Sequence, residues 1–196
     1  FNSSGTISAE DYIIEKTRLF GFGGDGTVTL TASDCTIANG GNGVGTKVNS
    51  AQIKDANGTV VCDRTSSTWI MKGDWYTYDL TLTGSTRLVT NGFRLFVFGT
   101  LTIGGSAIIS HNGSGATGSG NETTPGEGAG EGTLKGGSDG GAGGEKGAAG
   151  GGDSSSGGGG GGAGGNGGIV FISARIISNS GNITATGGNG GDGEPG

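Results

Sequence analysis

The residues able to do chemistry are few and scattered. His111 is the sole histidine, set beside Asn112 and Gly113 with no nucleophile readable near it. The carboxylates Glu122, Glu127, Glu131, Asp139, Glu145 and Asp153 lie among glycines, where their expected work is solubility. General acid and base catalysis needs titratable groups that converge on a rigid frame, and none converge here. Cys35 and Cys62 are the two cysteines, both in a hydroxyl-rich stretch with strand character. A bond between them closes a loop of 26 intervening residues and contributes roughly 3–4 kcal/mol on the loop-entropy model. We expect that disulfide, and with it an oxidising setting; two buried thiols are the alternative.

The glycine motifs lose their chemistry on inspection. Gly21-Phe22-Gly23-Gly24-Asp25-Gly26 fits G-x-G-x-x-G, but a dinucleotide site needs a helix after it, and a strand pattern follows. Gly41 to Lys47 resembles a phosphate loop, yet Thr46 separates Gly45 from Lys47 and no helix pattern comes next. Gly187-Gly188-Asn189-Gly190-Gly191-Asp192 begins like a calcium-binding nonapeptide, but Gly193 and Glu194 stand where the apolar residue should seat. No cofactor and no metal are therefore expected. The aromatic cluster is the remaining lead: Trp69, Trp75, Tyr76 and Tyr78 fall within ten residues, as contacts for a glycan or a neighbouring subunit, or as core. Strand alternation sets Tyr76 and Tyr78 on one side.

The elements that must position these residues are β. Of 196 residues 51 are glycine and only 30% are hydrophobic, so the core is thin, and regular backbone hydrogen bonding, a disulfide or packing against copies must help hold it. Val28 and Leu30 alternate with Thr27, Thr29 and Thr31, the period of a half-buried strand. Further strands are expected over 59–62, 68–71, 76–83, 87–90, 93–103 and 107–110, between Gly/Asn turns. Residues 1–22 read as an N-terminal attachment arm, 23–113 as the β domain, 114–167 as a glycine-rich insertion, and 168–196 as a returning coil with a glycine-rich tail. A chain that opens on Phe1 is read as a processed product or a piece of a longer one.

Residues 93–113 lie over 168–188 at an offset of 75, matching Leu95 with Val170, Phe96 with Phe171, Val97 with Ile172, Leu101 with Ile176 and Ile108 with Ile183. An apolar strand, an alternating strand and a glycine or asparagine corner is what successive coils of a parallel β-helix look like. The expectation is an all-β fold, a short parallel β-helix or alternatively a sandwich, with Phe96 and Phe171 pointing inward. The Gly-Gly-X pattern near residues 163–168 and 187–192 has the three-residue period of polyproline II and so predicts packed polyglycine helices in the insertion rather than a flexible linker.

The run Asp74-Trp75-Tyr76-Thr77-Tyr78-Asp79-Leu80-Thr81-Leu82, then Leu88 to Thr102, resembles a glycine-rich β-helical family of bacteriophage tail and virion proteins and bacterial surface proteins. Phe20 to Gly26 followed by Val28-Thr29 is similar to that family's lead-in, and the insertion resembles, by composition, the polyglycine-helix region of phage tail-fibre adhesins. The resemblance implies a structural or adhesive role on a virion exterior or tail fibre, with no catalytic motif to carry over. A net charge of −6 with 14% charged residues and no basic run argues against nucleic acid or an anionic membrane as partner. The apolar runs are too short to span a bilayer. The partners expected are other subunits of the same assembly, as a homo-oligomer, and a cell-surface glycan, in an extracellular or virion-surface location. The alternatives are a subunit of a bacterial or archaeal extracellular filament or surface layer and, last, a carbohydrate-active enzyme.

Overall fold

A computed structural model of the chain describes residues 19–38, 46–55, 57–114, 128, 132–134, 136–140 and 162–191. The arm expected over residues 1–22 lies outside them except for its last four residues, as does most of the insertion. The protein is all-β, with thirteen strands in two mixed sheets among the described residues. The strands are β1 (Thr27–Leu30), β2 (Cys35–Ala38), β3 (Thr46–Asn49), β4 (Gln52–Lys54), β5 (Val60–Thr65), β6 (Thr68–Met71), β7 (Trp75–Thr77), β8 (Leu80–Leu82), β9 (Arg87–Val89), β10 (Arg94–Ile103), β11 (Ile108–Ser110), β12 (Phe171–Asn179) and β13 (Asn182–Thr184). One sheet runs β12-β10-β8-β1-β2, with β7 also paired to β10; the other runs β13-β11-β9-β6-β5-β4-β3.

Two building rules meet in this chain. From β3 to β6 the strands of the second sheet pair antiparallel, β3 with β4, β4 with β5 and β5 with β6, as short connections allow. The polar stretch expected as a loop between the two cysteines thus carries strands of its own. From β8 onward the chain alternates between sheets, and β1 with β8, β8 with β10, β10 with β12 and β6 with β9 pair in parallel. Leu80 pairs with Leu101, 21 positions on, and Leu101 pairs with Ile177, 76 positions on. The second interval exceeds the first by 55 residues, close to the whole glycine-rich insertion, so the same strand spacing resumes after it.

Tight turns make the passages between sheets. Thr86 N donates to Thr83 O at 3.3 Å, Phe93 N to Thr90 O at 2.9 Å and Ala107 N to Gly104 O at 2.9 Å. Gly84 (φ +60°), Gly92 (φ +77°) and Gly105 (φ +55°) sit inside these turns, in the left-handed region where a Cβ is costly. Asp79 manages the one irregularity of the long strand. Its carboxylate accepts Thr100 N at 2.7 Å, where the β10–β12 register shifts between Val97 and Thr100, and a Cβ on Gly99 would lie 2.3 Å from its Oδ1.

The core is thin but closed. Val28, Leu30, Leu80, Leu82, Leu95, Val97, Leu101 and Ile103 from the first sheet are fully buried, as are Ile53, Trp69, Met71, Leu88 and Ile109 from the second. Trp69 Nε1 crosses between them to donate to Thr31 O at 2.9 Å. The expected repeat needs a correction in register. Leu95 pairs with Ile172 and Phe96 with Ser173, then Leu101 with Ile177, so the offset is 77 before the bulge and 76 after it, not 75. Phe96 and Phe171 consequently point outward, with Phe171 40% exposed; the inward places belong to Leu95, Val97 and Leu101.

The chain divides into two compact units, Phe1–Ile109 with Phe171–Ile183, and Ser110–Val170 with Thr184–Gly196. In the second, glycine segments run backbone against backbone. Gly165 N donates to Ser114 O at 3.0 Å, Asn166 N to Ser138 O at 2.9 Å, Gly188 N to Gly165 O at 2.7 Å and Gly191 N to Gly162 O at 2.8 Å. A Cβ on Gly137 would sit 2.1 Å from Asn166 O, and one on Gly164 2.1 Å from Gly188 O. His111 belongs to this packing: it is buried, its Nδ1 lies 3.0 Å from Ile169 O, and a Cβ on Gly168 would strike its ring.

Candidate functional site

Alternation on β7 and β10 sorts the aromatic cluster by face. Trp75 and Thr77 are buried and Tyr76 points out; Leu95 and Val97 are buried and Phe96 and Phe98 point out. Because Phe96 is the Cα partner of Tyr76 in parallel register, their rings stack at 4.9 Å with planes 1° apart. Phe22 stacks on Tyr76 at 5.1 Å, and Phe171 leans on Phe96 at 5.7 Å and 58°. Four rings thus form a column up the outer face of the first sheet. Beside it Tyr78 and Phe98 meet at 5.5 Å. Gly21 is required by close approach, since a Cβ there would lie 2.8 Å from Tyr76 Cδ1 and 2.9 Å from Phe96 Cβ.

Polar groups around the column are committed to structure. Asp74 Oδ1 accepts Arg94 N at 2.8 Å, and its Oδ2 accepts Arg94 Nε at 2.8 Å and Nη2. The hydrogen bond to Asp74 holds the Arg94 guanidinium above its ordinary pKa, and its Cζ sits 5.7 Å from the Phe96 centroid. Asp25, nearly buried, accepts Tyr76 N at 3.3 Å. Asp139, the insertion carboxylate among the described residues, accepts Gly128 N at 2.7 Å. Glu122, Glu127, Glu131, Glu145 and Asp153 lie outside the described residues, and so does Asp192 of the calcium-like motif. No group of three or more metal-ligating side chains occurs among the described residues.

The sequence-predicted contact residues therefore separate. Trp69 and Trp75 are fully buried and belong to the core rather than to a glycan or subunit surface. Tyr76 and Tyr78 do share the outer side, but both faces of the Tyr76 ring are already covered, by Phe22 and Phe96. A sugar stacks on a ring face, so Tyr76 offers only its edge. Cys35 and Cys62 are both buried thiols, not the expected disulfide. Burial pushes the Cys62 thiol well up, and the charges of Asp63 and Cys35 push it the same way against a smaller opposing pull from Lys72. A thiol so held is a small apolar side chain, not a nucleophile.

The feature that the sequence reading missed is the terminal strand. Among the described residues no further strand pairs with the outer edge of β12, and Phe171, Ile176, Ile177 and, on β13, Ile183 are 40–54% exposed. Its signal was present in Ile176-Ile177, an apolar pair that occupies both faces of a strand. No family model, no curated protein and no solved structure matches this chain.

Proposed function

We propose that this chain is a non-enzymatic structural and adhesive subunit of an extracellular or virion-exterior assembly, such as a tail fibre. In this reading the body is a short parallel β-helix, and the glycine segments are polyglycine II-type helices packed as an accessory. The observation that carries it is the column Phe22-Tyr76-Phe96-Phe171, raised by parallel strands whose partners lie 20 and 21 positions apart. Such stacking spends side chains on stiffness and leaves the acids holding backbone amides, which suits a load-carrying or presenting part better than a catalyst. The resemblance to glycine-rich phage tail and bacterial surface proteins points the same way. Tyr78 and the 56%-exposed Phe22 are the rings best placed for a glycan. The terminal strand, whose outer edge no strand pairs among the described residues, favours the alternative of an extracellular filament or surface-layer subunit.

Immunogold labelling of negatively stained native particles tests this. Label on a virion exterior or tail fibre supports the first reading, and label along endless filaments supports the second. Cleavage of a polysaccharide by the purified chain would overturn both.

A further inference from the structure

We infer that the outer edge of β12 is a self-association surface, which pairs antiparallel with β12 of a second copy about a twofold axis. The inference rests on the reading of the chain as an assembly subunit and adds the surface and the partner. Each strand of the stack from β8 onward is covered by the next, β8 by β10 and β10 by β12, and β12 is covered by nothing among the described residues. Ser173 Oγ does donate to Leu19 O, but Ser173 is the register partner of outward-facing Phe96, so that contact lies over the face and leaves the edge open.

An edge of this kind is normally blunted by shortness, proline, bulges on the open side or several charges. Phe171–Asn179 is nine residues long, contains no proline and carries a single charge, Arg175. Its apolar groups stand on both faces and are left open where a further strand would flank them: Ile177, partner of fully buried Leu101, is 49% exposed, and Ile176, on the opposite face, is 54% exposed. A second copy supplies what the stack itself would supply next, namely a strand with matching apolar residues on both faces. A twofold axis at Ile177 sets Ile176 opposite Ser178 and Arg175 opposite Asn179, so the two guanidiniums do not meet.

With the axis at Ile177, residues 175–179 of each copy pair directly, an end face about 17 Å long at about 3.3 Å per residue and, with two sheets about 10 Å apart and their side chains, about 20 Å wide. Roughly 350 Å² per copy, or about 700 Å² in all, is the size of a weak, reversible contact.

The test is sedimentation velocity of the full chain from about 1 to 200 µM with hydrogen exchange at the amides of residues 171–179. The expected result is reversible doubling of the 18.8 kDa mass, with protection of those amides that rises with concentration. Ile176→Lys, checked for folding by circular dichroism, should weaken the dimer at least tenfold, and Ile176→Leu should restore it. A monomer at 200 µM overturns the inference, whether the edge amides exchange freely or are protected at every concentration by the chain's own segments. A dimer indifferent to Ile176→Lys, or mass that grows without limit, overturns it too. None of these failures touches the structural reading, which stands or falls on where the label appears on native particles.

Discussion

Tyr76 and Phe96 lie one above the other with ring centroids 4.9 Å apart and planes 1° apart, and their position as direct partners in a parallel pair fixes that geometry. Parallel register sets partner side chains one above the other, and here it sets Phe96 over Tyr76, 20 positions before it. The core contributes in a different way. Leu95 beside Phe96 is fully buried, and its truncation leaves a cavity, whereas Phe96 is half-exposed and truncation lets water in. Leu95→Ala is expected to cost about 2–5 kcal/mol, and Phe96→Ala about 1–3 kcal/mol. A double-mutant cycle of Phe96→Ala with Tyr76→Ala should show a coupling of about 0.5–1.5 kcal/mol. Urea denaturation measures all three, and zero coupling would mean that the column is a consequence of register and adds no stability of its own.

The two buried tryptophans differ in one hydrogen bond. Trp69 Nε1 donates to Thr31 O at 2.9 Å; Trp75 Nε1 is buried and has no acceptor among the described residues. Phenylalanine removes the same volume at each site, so the difference isolates the polar atom. Trp69→Phe is expected to cost about 1–2 kcal/mol more than Trp75→Phe, because it strands a carbonyl while the other substitution removes an unsatisfied donor. Equal losses by chemical denaturation would assign Trp75 Nε1 a partner of its own.

What the sequence disclosed depended on whether two faces of a strand differ in composition. Val28 and Leu30 alternate with threonine, and both are buried, so periodicity alone placed them. Leu95-Phe96-Val97-Phe98 is apolar on both faces, and no periodicity tells the inward pair from the outward one. The bulge between Val97 and Thr100 was equally hidden, since it changes the offset from 77 to 76 and a gapless alignment has no place for it. Trp69 and Trp75 could be core or contact by residue type alone, and only the strand register decides. The split of 76–83 into β7 and β8 at Tyr78-Asp79 depends on Asp79 reaching Thr100 N, a contact 21 positions away that local propensity does not carry.

Cys62 makes the stability sensitive to alkali. Its folded pKa is raised, first by burial and then by Asp63 and Cys35, so the folded thiol stays protonated while the unfolded one ionises near about pH 8.5. The associated stability is full below that value and declines as pH rises toward the folded pKa, by up to about 1.4 kcal/mol per pH unit. In reducing buffer, the protein should lose about 1 kcal/mol more between pH 7.5 and 9.5 than the Cys62→Ala variant does. Parallel loss in the two proteins, measured by urea midpoints, would place the alkaline sensitivity elsewhere. Titration of the unfolded, unreduced chain should count two thiols.

The glycine segments offer the sharpest contrast between packing and mere composition. Fixing a glycine costs roughly 1–2 kcal/mol of backbone entropy, and these segments have few side chains to offset it, so backbone amides must do so. Those amides are engaged: Gly165 with Ser114, Gly188 with Gly165 and Gly191 with Gly162. The price of such closeness is that no side chain fits, and a Cβ on Gly164 would lie 2.1 Å from Gly188 O and 2.6 Å from Asn189 O. Backbone cannot swing aside as a side chain can, so Gly164→Val must push the two segments apart. It is expected to speed hydrogen exchange at Gly188 and Gly191 at least tenfold and to expose 162–168 to thermolysin. Gly73→Ala is the control, because a Cβ there meets nothing within 4 Å; it should leave exchange unchanged and stability within about 0.5 kcal/mol. If Gly164→Val exchanges like the parent protein, the segments are not packed backbone to backbone, and glycine serves there only as a spacer.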